Sequence, residues 1–312
     1  MRAVVTGAGS FLGSYTVKAL KEKGLEVTEL RHSFEEEPEK LPAAIDIWIH
    51  FAWAGRGPEG RADKDIQAYN IGMSMAALRM AHELHAKCFV FAGSQAEYGP
   101  QKDLPIRESA GCAPVSEYGK AKLAFYEFAR RWVMSIPYET DDKDLMRYLH
   151  LRIFSVFGEG DREDSLISSA LSELSSGRPM ELSSCGQLWN YMYVKDAARA
   201  IVEAALDSAK SMDPEGGSPE GKDKVQGSLC SIMNIAGEDV RPLRSYVEEL
   251  RDLLSSSSEL RFGARGQNLE GAADLAPDIT GLLSLGFHEE YSFSSAIRDM
   301  LHMEQETGPD IA

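Results

Sequence analysis

Short apolar runs and stretches of helical periodicity alternate through the first half of the chain. Strand-like runs occupy residues 3–6, 26–30, 45–52, 88–92 and 149–154, with the lengths and compositions of strands bounded by turn residues. Residues 11–22 carry a helical repeat that stops before Gly24, a residue suited to ending a helix. Such alternation builds βαβ units, so it predicts an α/β fold on a doubly wound parallel sheet. The run Ile45-Asp-Ile-Trp-Ile-His-Phe-Ala52 is nearly continuous in apolar character, as a strand covered on both faces must be, and belongs in mid-sheet. Residues 65–86 read as one long helix with an apolar stripe of Ile66, Met73, Ala77, Met80 and Leu84, the methionines serving as core filler.

The second half is less regular. A helical stretch at 196–206 leads into residues 211–228, rich in Gly, Pro and charge and without periodicity. That segment is expected to be a mobile acidic surface insertion. A strand-like run follows at 230–235, and no internal repeat is present.

The first strand runs directly into Thr6-Gly-Ala-Gly-Ser-Phe-Leu-Gly13 and then into a helix. A dinucleotide needs that order of strand, glycine turn and helix. Gly7 permits the tight turn, small residues at Gly9 and Ser10 let the backbone approach a pyrophosphate, Phe11 and Leu12 complete the run, and Gly13 lets helix and strand close up. Ser10 replaces the middle glycine of T-G-x-x-G-x-x-G, and Gly9 beside it supplies flexibility. Arg31 stands after the second strand, where an NAD site carries an acid and an NADP site an arginine for the 2′-phosphate. NADP is therefore favoured. NAD stays possible if Arg31 merely enters solvent and Glu29 reaches the ribose.

The run Ser116-Glu-Tyr-Gly-Lys-Ala-Lys122 supplies the chemistry. Positions i and i+4 share a helix face, so the Lys122 ammonium beside Tyr118 would favour the phenolate and bring a tyrosine acid into use near neutrality. Ser94, at the end of the strand-like run Phe89-Val-Phe-Ala-Gly-Ser94, is the hydroxyl that would bond a reacting oxygen. Together these motifs read as a hydride-transfer enzyme with Ser94, Tyr118 and Lys122 catalytic. Ala52, where the third strand ends, is expected to approach the cofactor. Trp53 and Arg56 just beyond it are candidates for a sugar face and for a phosphate or keto oxygen, or else for packing of the loop.

Composition narrows the partners. With 49 acidic against 33 basic residues the net charge is -16, which opposes binding to nucleic acid or an anionic membrane. Four scattered cysteines and the isolated pair His82 and His85 suggest neither a disulfide framework nor a metal site. No signal-like segment precedes the first strand and no run reaches membrane-spanning length, so a soluble cytoplasmic protein is expected.

With these motifs in place, the chain resembles the extended short-chain dehydrogenase/reductase family, in its nucleotide-sugar epimerase, dehydratase and 4-ketoreductase branch. Leu151-Arg-Ile-Phe-Ser-Val-Phe-Gly158, Trp189-Asn-Tyr-Met-Tyr-Val-Lys-Asp196, Met233-Asn-Ile-Ala-Gly237 and Gly286-Phe-His-Glu-Glu-Tyr-Ser292 carry the resemblance onward. It implies a Rossmann-like dinucleotide-binding domain at 1–160, with 192–206 and 230–237 returning to it. A smaller, discontinuous C-terminal substrate domain would comprise 161–191 and 238–312. It also implies a nucleotide-sugar substrate, contacts from Gln95 and Ser155, and a homodimer through the helix bearing Tyr118 and the helix before it.

Dehydratases of that family carry an Asp-Glu pair after the catalytic hydroxyl, whereas this chain has Gln95 and Ala96, so elimination lacks its acid and base. Trp189 stands where many relatives place an arginine, and Arg265 is similar to a second, diphosphate-binding arginine. The expected function is NADP-dependent reduction of the C4 keto group of a dTDP- or CDP-linked 6-deoxy sugar. An epimerase holding NAD is the alternative, and a non-catalytic NADP-binding regulatory protein a further one.

Overall fold

Strand β1 (Arg2–Thr6), helix α1 (Phe11–Glu22) and strand β2 (Glu26–Leu30) open the chain as a βαβ unit with β1 and β2 parallel. The computed structural model describes residues 1–306 apart from 33, 35, 37, 56, 137–144, 211–228 and 267–272. Arg56 and the expected insertion at 211–228 therefore lie outside the described residues.

After β2 the chain returns past β1 to β3 (Ile47–His50), continues through β4 (Cys88–Ser94) and β5 (Arg147–Ile153), and comes back late as β9 (Cys230–Ile235). The sheet order is β2-β1-β3-β4-β5-β9, parallel throughout. All four β3 residues are buried, in the mid-sheet place its apolar run demands. The reversal of direction lies between β1 and β3, and a crevice opens outside the carboxyl ends of strands at such a point.

Alternate residues serve opposite faces. Val5, Ile47, Ile49 and Val90 pack under α1 and under α6 (Val194–Lys210). Val4, Trp48, Phe89 and Phe91 pack under α3 (Lys64–Glu83) and α4 (Glu117–Ser135). Truncating a ring such as Phe91 there costs about 3–5 kcal/mol. A five-residue helix, α2 (Pro58–Ala62), precedes α3.

The stripe expected on the long helix is displaced. Its buried face is Gln67, Asn70, Ser74, Ala77, Leu78 and Ala81, while Ile66, Met73, Met80 and Leu84 are half-buried. The amino-terminal half of α3 lies against a loop and a buried histidine that need polar partners, and hydrophobic periodicity cannot register that demand.

The remaining elements form a second core. Sheet β10-β8-β6 combines Val240–Pro242, Leu188–Tyr193 and Ser155–Phe157, while Met180–Leu182 (β7) pairs with Leu260–Phe262 (β11). These strands pack with α5 (Leu166–Ser175), α7 (Leu243–Leu253) and α9 (Phe293–Glu306) around Phe157, Tyr246 and Phe293, and α8 (Thr280–Ser284) lies by β9. Among the described residues no helix is long and apolar enough to cross a membrane.

Candidate active site

The turn after β1 is shaped by what cannot fit there. Gly7 has φ +69°, and a Cβ on it would lie 2.8 Å from the Ala52 nitrogen. A Cβ on Gly13 would lie 2.2 Å from the Gly7 carbonyl oxygen. Both positions exclude every other residue. Ser10 caps α1, its Oγ accepting from the Gly13 N–H at 3.2 Å. The serine in place of a glycine thus anchors the helix whose N-terminus suits a phosphate. Gly7, Gly9, Ser10, Arg31, Ala52 and Trp53 line one cleft of about 500 Å³. Phe11 and Leu12 turn inward from the first turn of α1 and pack on the second core.

At the far end of that cleft the Arg31 side chain lies across Gly9, 3.8 Å from where its Cβ would be. Its guanidinium meets Glu29 at 3.3 Å, and Lys21 holds the same carboxylate at 2.7 Å. The Lys21 hydrogen bond and, after it, Arg31 keep the Glu29 carboxyl below its ordinary pKa. The acid that could take a ribose diol is engaged by two cations.

The other pole of the site comes from α4. Ser116 caps this helix through the Gly119 N–H. A Cβ on Gly119 would sit 2.5 Å from the Ala96 carbonyl oxygen, so glycine lets the helix close on the 3-10 turn Gln95–Glu97 that follows Ser94. Ser94 is buried, and its hydroxyl oxygen accepts from the Ala96 N–H at 3.2 Å, which leaves its O–H free to donate. Lys122 is buried with Nζ donating to the Ala92 carbonyl oxygen at 2.7 Å. The ammonium lies 3.6 Å from the Trp53 ring centroid, 4.6 Å from that of Phe91 and 5.7 Å from that of Tyr118. Burial, opposed by the Glu97 charge and reinforced by Arg61, brings the Lys122 pKa down to about 7.

Trp53 is a half-buried wall of the cleft that the structure also ties into the loop. One face carries the Lys122 ammonium, the ring stands perpendicular to that of Tyr118, and its Nε1–H donates to Gln67 at 3.0 Å.

Two buried polar networks went unread in the sequence. Beneath Ser94, Glu97 accepts from the Ser94 N–H at 2.8 Å, from His150 Nε2 at 2.8 Å and from Arg152 Nε at 3.1 Å. A carboxylate only accepts, so His150 donates through Nε2 and takes the Tyr148 hydroxyl at Nδ1. Burial raises the Glu97 pKa, but His150, Arg152 and the Ser94 N–H outweigh it and the carboxyl falls below its ordinary value. In the second network His50 joins Thr6 to Ser74, and Asn70 clamps both backbone groups of Ala54. Burial drives the His50 pKa down to about 3, so it bridges Thr6 and Ser74 as a neutral ring. The nearest sequence signal is the presence of His50 and His150 within apolar runs, since a buried strand accepts a histidine at low cost only when a partner waits.

The remaining candidates are Gln95, Ser155 and Arg265. Gln95 begins the 3-10 turn beside Ser94, Ser155 opens β6 and pairs with Tyr191, and Arg265 is exposed after β11, its backbone N–H bonded to Leu182. Like Ser94, Tyr118 and Lys122, these three are outside the set of residues that line that cleft.

The UDP-glucose 4-epimerase of Lactobacillus helveticus is 27% identical over 182 residues, covering 51% of this chain and 52% of that enzyme. The chain spans about half the length of such curated relatives. The dTDP-6-deoxy-L-talose 4-dehydrogenase (NAD(+)) of Aggregatibacter actinomycetemcomitans is 26% identical over 232 residues, 66% of this chain and 80% of that enzyme. The fold matches that of the Thermus thermophilus UDP-glucose 4-epimerase in its complex with NAD, with a TM-score of 0.73, 19% identity and coverage of 98% and 100%. Residues 3–215 match the model of the NAD dependent epimerase/dehydratase family, and the chain belongs to that family.

Proposed function

We propose that the chain is a nucleotide-sugar oxidoreductase that reduces a keto group at C4 of the hexose, using NADP. The observation that carries this reading is that α4, bearing Tyr118 and Lys122, closes on the carboxyl end of β4, with Lys122 bonded to Ala92 and Gly119 against Ala96 just after Ser94, and that Gln95 and Ala96, not carboxylates, follow the serine. The talose 4-dehydrogenase, matched over 80% of its length, supports redox at C4. NADP is favoured by Arg31 over Gly9 and by the engagement of Glu29 with Lys21 and Arg31.

The glycine turn fits a dinucleotide because Gly7 and Gly13 let strand, turn and helix close tightly, while Gly9 and Ser10 face the cleft at the N-terminus of α1. Gly7, Gly9, Ser10 and Ala52 would hold the pyrophosphate, Arg31 the adenosine end, and Lys122 with Tyr118 the nicotinamide end. When bound, the reduced nicotinamide supplies the hydride. The Ser94 O–H donates to the substrate carbonyl oxygen, and the Tyr118 phenol passes its proton to that oxygen as the alcohol forms. Lys122 stabilises the phenolate left behind and, with its pKa at about 7, can restore a proton near neutrality. The second core would present the sugar nucleotide, and two chains would pair through α3 and α4.

The test is reduced-nicotinamide oxidation with dTDP- or CDP-4-keto-6-deoxyglucose. NADPH should be consumed in preference to NADH, and Tyr118→Phe should lower turnover at least about 100-fold while cofactor affinity stays nearly unchanged. Undiminished activity in that variant sinks the mechanism. The run of UDP-glucose 4-epimerases among the relatives favours a second reading, an epimerase. That reading gains if purified protein retains NAD and interconverts C4 epimers with no net oxidation.

A further inference from the structure

The Arg61 guanidinium carbon lies 4.0 Å from the centroid of the Tyr118 ring. The contact is built. Gly55 has φ +68°, and a Cβ on Gly60 would lie 2.4 Å from the Gly55 Cα, so α2 is folded back tightly on the loop before it. The Gln67 side-chain amide donates to the Gly60 carbonyl oxygen at 2.7 Å while its own oxygen holds the Trp53 indole. One buried glutamine thereby fixes both neighbours of the tyrosine, Arg61 over the ring and Trp53 perpendicular to it at an interplanar angle of 86°.

We propose that Arg61 is a positioning residue for the acid–base tyrosine, its guanidinium on the Tyr118 ring favouring the phenolate and setting the pH at which Tyr118 exchanges its proton. The inference rests on the reading of Tyr118 given above. A positive charge within about 4–6 Å of an ionisable group favours its anionic form. Among the described residues, Arg61 on α2 and Lys122 on its own helix lie near the Tyr118 ring; Glu117, beside it in sequence, faces Lys120 and Lys64, and the Glu97 charge after β4 acts on Lys122. Among the described residues Arg61 lies nearer the ring, at 4.0 Å against 5.7 Å for Lys122, and an arginine suits that place because it stays charged and lies flat on an aromatic face.

The experiment is a tyrosinate ultraviolet difference titration of the full chain, with the Tyr118→Phe protein subtracted to isolate one of the 11 tyrosines. In Arg61→Met the Tyr118 component should move to higher pH by roughly one unit or more, and Arg61→Lys should restore most of the shift. The alkaline limb of kcat/KM for carbonyl reduction, where the acid is lost, should move upward by the same amount. An unmoved Tyr118 component in Arg61→Met, with circular dichroism matching the parent, overturns the proposal. Should Arg61→Met fail to fold, Arg61→Gln gives the same reading. A Tyr118 component that moves in a protein whose turnover ignores Tyr118→Phe would uphold the coupling and reject the catalytic reading instead.

Discussion

The Lys122 Nζ donates to the Ala92 carbonyl oxygen at 2.7 Å and rests 3.6 Å from the centroid of the Trp53 ring. A carbonyl and an aromatic face stand where a buried ammonium would ordinarily have a carboxylate, and Glu97 acts on it only through its field. Cation–π attraction offsets part of the desolvation but not all of it. The folded pKa accordingly falls from 10.5 to about 7.

The first prediction follows from the sign of that shift. Between pH 7 and the ordinary lysine value the unfolded chain binds a proton that the folded chain lacks, so stability rises with pH through that window. Below it the penalty for burying the charge is fully present. Lys122→Met should therefore unfold at a higher temperature than the parent at pH 6, by on the order of a few kcal/mol, with the gap closing toward pH 10 and turnover lost. A parent Tm that does not climb above pH 7 would contradict this.

Trp53 should report the same titration. Its indole touches the ammonium, so its emission should change with a midpoint near the Lys122 pKa of about 7. Trp53→Phe subtracts the other three of the four tryptophans. The titrating component should vanish in Lys122→Met, and its survival there would assign it to another group.

Of the architecture, the sheet and the glycine turn were legible because periodicity and φ requirements are local. Tyr118 and Lys122 were legible because one helix carries both. The displaced face of α3 was not, since Gln67, Asn70 and Ser74 are buried by partners on Trp53, Ala54 and His50 that sequence spacing does not reveal. Glu97, His150 and Arg152 join across 53 and 55 residues, and Arg61 meets Tyr118 only through a turn closed by Gly55 and Gly60.

Gly119→Ala tests how tightly α4 must close. Alanine gains about 1 kcal/mol of helix propensity over glycine, yet its Cβ would lie 2.5 Å from a backbone carbonyl oxygen, and overpacking of that kind costs about 1–3 kcal/mol. The helix should shift away from Ser94. Turnover should fall by roughly 10–100-fold, as a displacement near 1 Å can cause, with little change in Tm. Full activity would show that Tyr118 does not depend on this approach.

Arg31→Asp addresses the cofactor. Losing one charge-assisted contact of about 1.5–3 kcal/mol should weaken NADPH binding by roughly 10–100-fold, while NADH binding holds or improves. Fluorescence titration of both reduced cofactors checks this. Unchanged NADPH affinity would remove Arg31 from the site and leave Glu29 as the group that meets the ribose.

The last prediction concerns the charge beneath the serine. Glu97 is fully buried and bonded to Ser94, His150 and Arg152, with its folded pKa below the ordinary 4.5. Its stabilising contribution is thus present above the ordinary glutamate range and is lost as pH falls through the folded value. Glu97→Gln leaves Arg152 without a counter-charge, which costs about 3–5 kcal/mol when one member of a buried pair is removed. At pH 7 its Tm should drop sharply, and much of the parent's steep loss of stability on acidification should disappear. Because the amide can still accept the Ser94 N–H, turnover of the folded fraction should fall less than in Ser94→Ala. Equal acid sensitivity in parent and variant would place the acid-labile charge elsewhere in the molecule.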